Sequence, residues 1–118
     1  MPVSDSLRWV VIGVGASIFP THRLAQLAAG IDVVAVCGRT AETAGPRAAE
    51  IGCPLYTDYQ LMLTEVRPDA AVVLTPHPSH PAIAIDCMRA GAHVLVEKPM
   101  APDVASADRM IAEADRSG

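Results

Sequence analysis

At 118 residues the chain has the length of one domain with a proper core. A net charge of −4 and the lack of any basic stretch argue against a nucleic-acid partner, and no run approaches the roughly 20 apolar residues of a membrane span. Hydrophobic residues make up 51% but aromatics only 3%, so Val, Ile, Leu and Ala must build the core.

Trp9 to Val14 is an apolar run broken by Gly13 and reads as the first strand. With Arg8 in front, the longer stretch from Trp9 to Phe19 has the look of a signal-peptide core, but Asp5 and the two interrupting glycines, Gly13 and Gly15, argue against that reading. A helix pattern follows from about Thr21 to Ala29, then a second strand from Asp32 to Cys37. Ala41 to Ile51 reads as helix, although Gly45-Pro46 predicts a broken or late start. Leu55 to Thr57 is a short strand, and Asp58 offers an N-cap for a helix reaching Val66.

Asp69 to Thr75 is the next strand, and its Ala-Ala-Val-Val-Leu core does not alternate with polar residues. The following helix has Pro81 in its first turn and Gly91 at its C-terminal cap. His93 to Glu97 is the last strand and Asp103 to Arg116 the last helix. Continuous apolar strands separated by helices predict an α/β fold with a doubly wound parallel sheet, Rossmann-like, in one domain over residues 1–118. Cys37, Cys53 and Cys87 form no CxxC pair and leave an odd one over, which fits reduced thiols in a cytoplasmic protein and neither a disulfide framework nor a zinc site.

Gly13-Val14-Gly15 falls where the first strand meets the first helix. The first glycine permits the tight turn, and the second lets the backbone approach a pyrophosphate. The third glycine of a G-x-G-x-x-G pattern is absent; its place falls on Ile18, beside Ser17, and both count with the cofactor turn. At the tip of the second strand an acid would accept from the NAD ribose. Here Gly38-Arg39-Thr40 stands instead: Gly38 leaves room, Arg39 can pair with a 2′-phosphate and Thr40 can add a hydroxyl donor. The cofactor reading is therefore NADP, with NAD possible.

After the fourth strand, Thr75-Pro76-His77-Pro78-Ser79-His80 carries two prolines that stiffen a wall against a cofactor ring. His80 reads more readily as a helix-start structural residue than as an acid–base group, and His22 as a neighbour of the cofactor without chemistry. Of nine Lys and Arg residues only one is lysine, Lys98, and it directly follows a buried-looking strand. Its ammonium can donate to a substrate oxygen.

Gly13-x-Gly15, Thr75-Pro76-x-x-x-His80 and Gly91-x-His93-Val94-Leu95-Val96-Glu97-Lys98-Pro99 together resemble the Gfo/Idh/MocA family of NAD(P)-dependent oxidoreductases, over its N-terminal Rossmann domain. The resemblance implies that Lys98 is catalytic and hydrogen-bonds the substrate hydroxyl. It implies that Glu97 lies by the nicotinamide and that Thr75, Pro76 and His80 belong to the cofactor's surroundings. It further implies hydride transfer to or from a sugar, cyclitol or related small polyol, a second domain supplying an acid–base histidine, and a homo-oligomer. Ile18 in place of the third glycine and Gly38-Arg39 in place of the acid depart from the family pattern. Two other classes compete: a stand-alone, non-catalytic dinucleotide-binding or sensor module, and a Rossmann-like domain for another nucleotide-bearing ligand such as coenzyme A.

Overall fold

A computed structural model describes residues 7–15 and 18–118. Its elements run β1 (Arg8–Ile12), α1 (Phe19–Ala29), β2 (Asp32–Cys37), α2 (Ala41–Ile51), β3 (Leu55–Tyr56), α3 (Tyr59–Val66), β4 (Ala70–Val73), α4 (His80–Arg89), β5 (His93–Val96) and α5 (Val104–Ser117). The strands form one five-stranded sheet in the order β3-β2-β1-β4-β5, and every pairing is parallel. The order reverses at β1, so the crevice between the carboxyl ends of β1 and β4 is the topological switch point.

Alternation along the strands sends Val10 and Ile12 to one face and Val11 to the other. Val10 and Ile12 pack with Met62 and Leu63 of α3 and with Ile83 and Cys87 of α4. Val11 packs with Phe19 of α1 and with Ala44 and Ala48 of α2. Both faces of the central strands are therefore covered, which is why their sequences read as unbroken apolar runs. Small alanines on α2 let that helix sit close to the sheet.

Three local devices set the helix starts. Asp58 accepts from the backbone N–H of Gln60 and Leu61, as its expected N-cap role requires. Asp103, read from the sequence as the first residue of the last helix, instead caps it by accepting from Ser106 N–H at 2.7 Å. Thr40 caps α2 by accepting from Thr43 N–H. α1 begins at Phe19, two residues before the Thr21 of the sequence reading, because Pro20 fits a first helical turn and Phe19 is fully buried.

The predicted break of α2 at Gly45-Pro46 does not occur. Pro46 lies inside a continuous helix. It is exposed, as is Glu42 one turn earlier, so the Glu42 carbonyl that loses its helical donor can turn to water. Buried Ala44 and Ala48 hold the helix on the sheet to either side of it.

All three cysteines are free. Burial pushes the thiol of Cys87 up to about 12 and that of Cys37 up to about 11, with nearby Asp86 and Asp58 adding to the respective shifts. Among the described residues no helix is long and apolar enough to cross a membrane.

Candidate functional site

Backbone bonds carry the sheet ladder one residue past the strand ends. Gly13 N–H donates to Cys37 O at 2.9 Å, Leu74 N–H to Ile12 O at 2.8 Å, and Glu97 N–H to Val73 O at 3.0 Å. The segments that follow β2, β1, β4 and β5 therefore stand side by side along the carboxyl edge. In order across the edge they are Arg39-Thr40, Gly13 to Gly15, Thr75-Pro76 and Glu97-Lys98. With strands about 4.8 Å apart, the row from β2 to β5 spans about 14 Å, enough for an extended ligand with two distinct ends.

The glycine turn fits a close-lying phosphate group. Gly13 adopts φ +100°, and a Cβ there would sit 2.7 Å from Thr75 N and 2.8 Å from Leu74 C, so only glycine lets the β1 and β4 ends meet this closely. Among the described residues a Cβ on Gly15 would meet nothing within 4 Å, so the space before it is open there. The N-cap of α1, Ile18, offers no side-chain acceptor, and the first turn holds no acidic residue. The leading N–H groups of α1 thus carry the helix's partial positive charge without a capping carboxylate. Ile18 itself is 36% exposed, while the adjoining Phe19 is fully buried and takes the packing position against the sheet. Arg47 of α2 lies 5.2 Å over the Phe19 ring. Ser17 lies outside the described residues.

At the β2 tip Arg39 is exposed. Gly38 is buried, and its glycine identity answers to packing: a Cβ there would lie 2.2 Å from Ala44 Cβ. The hydroxyl of Thr40 is engaged in the α2 cap and stands 2.8 Å from the Thr43 hydroxyl. After β4, Thr75 is half-buried and Pro76 exposed, and Ser79 Oγ closes the turn 2.7 Å from Thr75 Oγ1 and 2.6 Å from Pro76 O.

His80 is 1% exposed and has both ring nitrogens beside backbone carbonyls. Nε2 lies 2.7 Å from Thr75 O, and Nδ1 2.9 Å from Pro99 O. The ring is a strut between the β4 loop and the turn that follows Lys98, as the helix-start structural reading expects; its polar atoms are spent on the protein.

Glu97 is held at both oxygens. His22 Nε2 lies 2.6 Å from Oε2, and the Lys98 backbone N–H donates to Oε1 at 2.9 Å. The His22 bond first, and the Lys98 N–H second, hold the Glu97 carboxyl below its ordinary value. Lys98 is exposed, and among the described residues its ammonium has no hydrogen-bonding or ion-pairing partner. The peptide Lys98–Pro99 is cis.

The sequence reading missed the role of His22 in fixing Glu97. These residues are 75 positions apart, and only the β1-β4-β5 adjacency brings them together. Of the sequence-predicted site residues, Gly13, Gly15, Ile18, Arg39, Thr40, Thr75, Pro76, Glu97 and Lys98 share the carboxyl edge, whereas Gly38 and His80 are buried beneath it.

Residues 7–118 match the family model described as an oxidoreductase family with an NAD-binding Rossmann fold. The chain is 36% identical over 106 residues to UDP-N-acetylglucosamine 3-dehydrogenase of Acidithiobacillus ferrooxidans, a match covering 89% of the chain and 32% of that enzyme. It superposes with a TM-score of 0.91 and 31% identity on the WlbA dehydrogenase of Bordetella pertussis, solved with NADH and UDP-GlcNAcA, over 99% of the chain and 36% of that protein. It likewise superposes, at TM-score 0.85 and 30% identity, on a 3-ketoreductase from Actinomadura kijaniata solved with NADP and TDP-benzene, over 96% of the chain and 35% of that one. The chain thus spans about a third of the length of the relatives it matches. With its parallel sheet, glycine turn and Glu97-Lys98-Pro99 tip in the same order as the motifs first suggested, the chain belongs to the Gfo/Idh/MocA oxidoreductase family and forms its nicotinamide-dinucleotide-binding Rossmann domain.

Proposed function

We propose that residues 1–118 are the cofactor-binding domain of an NADP-preferring oxidoreductase that transfers a hydride between nicotinamide and a hydroxyl-bearing carbon of a sugar, cyclitol or related small polyol. The observation that carries this reading is the Lys98 ammonium, without a partner among the described residues, on the same sheet edge as the glycine turn. Bound there, the dinucleotide supplies the hydride chemistry. The protein's residues bind, orient and stabilise charge.

Gly13 and Gly15, with Ser17, Ile18 and the start of α1, hold the pyrophosphate. Exposed Arg39 receives a 2′-phosphate through its guanidinium fork, and the absence of an acid at this strand tip disfavours the NAD ribose. Thr75 and Pro76 line the ring at the β4 end, with Glu97 at the nicotinamide end. Lys98 donates to the substrate hydroxyl oxygen and stabilises the negative charge that develops as its proton leaves. The base that takes this proton comes from a second domain, which also walls the substrate and carries a homo-oligomer interface. Relatives named for, or solved with, nucleotide sugars support a ring hydroxyl as the reacting group. Free cysteines suit a reducing, cytoplasmic compartment.

The test is Lys98→Ala in the protein made from its full natural reading frame. Turnover falls about 10²- to 10³-fold, the scale of losing one stabilising donor, while the Kd for NADPH stays within twofold. Unchanged turnover rejects the assignment.

A further inference from the structure

Lys98 has no side-chain anchor of its own among the described residues, so its aim depends on what holds its backbone. On one side the His80 ring takes up the Pro99 carbonyl at 2.9 Å. On the other, Glu97 is fixed by its backbone bond to Val73 O and by its carboxylate, whose two oxygens go to different partners. Oε1 receives the Lys98 N–H. Oε2 receives His22.

The division of labour matters. A carboxylate that bonded only to the next residue's N–H would be free to swing with its side-chain torsions. The 2.6 Å contact to His22 removes that freedom, because the imidazole sits in the first turn of α1 and is only 21% exposed. No other described side chain is bonded to Glu97. Loss of His22 would leave Glu97 Oε2 without a protein partner and release the brace on the Lys98 amide. Among the described residues the one side chain that His22 bonds is Glu97, and it acts through that carboxylate.

We propose that His22 is a positioning residue which, through the Glu97 carboxylate, fixes the backbone of Lys98 at the carboxyl end of β5. This inference rests on the reading of Lys98 as the residue that meets the substrate hydroxyl. It also gives the first turn of α1, next to the open glycine turn, a second task in setting the geometry at the opposite end of the site.

The experiment is a double-mutant cycle in the protein made from its full natural reading frame, with NADPH affinity and hydrogen exchange at the Lys98 amide measured alongside. His22→Ala lowers kcat about tenfold, a misplacement effect, with the Kd for NADPH within twofold of wild type. The Lys98 amide exchanges faster. His22→Gln, which retains a side-chain N–H donor, recovers part of both. In a Lys98→Ala background, His22→Ala costs nothing further, because there is no ammonium left to aim.

An equal loss from His22→Ala in both backgrounds overturns the proposal and makes His22 a structural residue. Wild-type turnover in His22→Ala, with Lys98→Ala impaired, also overturns it while leaving the function intact. If Lys98→Ala itself turns over normally, the functional reading falls and this inference falls with it. Should His22→Ala fold poorly, the exchange rate of the Lys98 amide in His22→Gln and in His22→Phe, which fills the space without an N–H donor, decides: faster exchange in His22→Phe than in His22→Gln supports the brace, and wild-type protection in both, or equal acceleration in both, removes it.

Discussion

Glu97 Oε2 and His22 Nε2 lie 2.6 Å apart across 75 residues of chain, joining the helix that begins at the glycine turn to the strand that ends at Lys98. The contact crosses the edge of β4, whose backbone also receives the Glu97 N–H at Val73 O. One contact thereby links the helix after the glycine turn to the Glu97-Lys98 tip of β5. Stability and site geometry are set by the same few contacts along this edge, and the consequences can be measured separately.

Gly38 is the tightest packing point between β2 and α2. A methyl group there would stand 2.2 Å from Ala44 Cβ, against a helix already seated on buried alanines. Gly38→Ala is expected to destabilise the fold by about 1–3 kcal/mol, the usual cost of overpacking, read as a lower urea midpoint at unchanged slope. Ala44→Gly alone costs about 1 kcal/mol through helix propensity. Combined, the two lose less than their sum, because Ala44→Gly removes the atom that Gly38→Ala strikes.

Acid stability should report on Glu113. Its carboxylate is buried and accepts from Arg116, from Ser117 Oγ at 2.7 Å and from Arg89 Nε at 3.0 Å. The Arg116 bond first, then Ser117 and Arg89, lower its pKa to about 2. The folded value lies below the unfolded one. The stabilisation is therefore fully present above the ordinary carboxylate range and is lost as pH falls toward 2. Glu113→Gln lowers the thermal midpoint at pH 7 and narrows its gap from wild type as pH drops through that window. A constant gap across pH 7 to 2.5 contradicts the account.

Thr40 separates a cap from a ligand donor. Its hydroxyl oxygen accepts from Thr43 N–H at 3.2 Å and starts α2. Thr40→Ala is expected to cost about 1 kcal/mol of stability by denaturant melt, and Thr40→Ser to keep most of it. The proposed preference for NADPH over NADH is expected to survive Thr40→Ser, since that variant retains both the cap and the hydroxyl.

Much of the fold was legible because it rests on local chemistry. The apolar strand runs, the Asp58 cap and the glycine after α4 sit where the sequence places them. The bounds of α2 were legible but its continuity through Gly45-Pro46 was not, because a proline inside a helix is disruptive only where its lost hydrogen bond cannot be replaced, and exposure on that face is a tertiary property. Gly38 shows the same limit. Read alone it suggests clearance for a phosphate, whereas its packing against Ala44 depends on how α2 lies on the sheet. At the site, the residues on each strand tip were visible one motif at a time. What no motif carries is the bonding between tips: His22 with Glu97, and His80 with Pro99, arise from the strand order β1-β4-β5.

The central claim is that the carboxyl edge binds a nicotinamide dinucleotide with its 2′-phosphate end at Arg39. The direct measurement is a calorimetric titration of wild type and Arg39→Ala with NADPH and with NADH. The account predicts that wild type binds NADPH more tightly, and that Arg39→Ala weakens NADPH by about tenfold, the scale of one charge-assisted hydrogen bond, while leaving NADH unchanged. Equal wild-type affinities for the two dinucleotides, or a matching loss of both in Arg39→Ala, would contradict it.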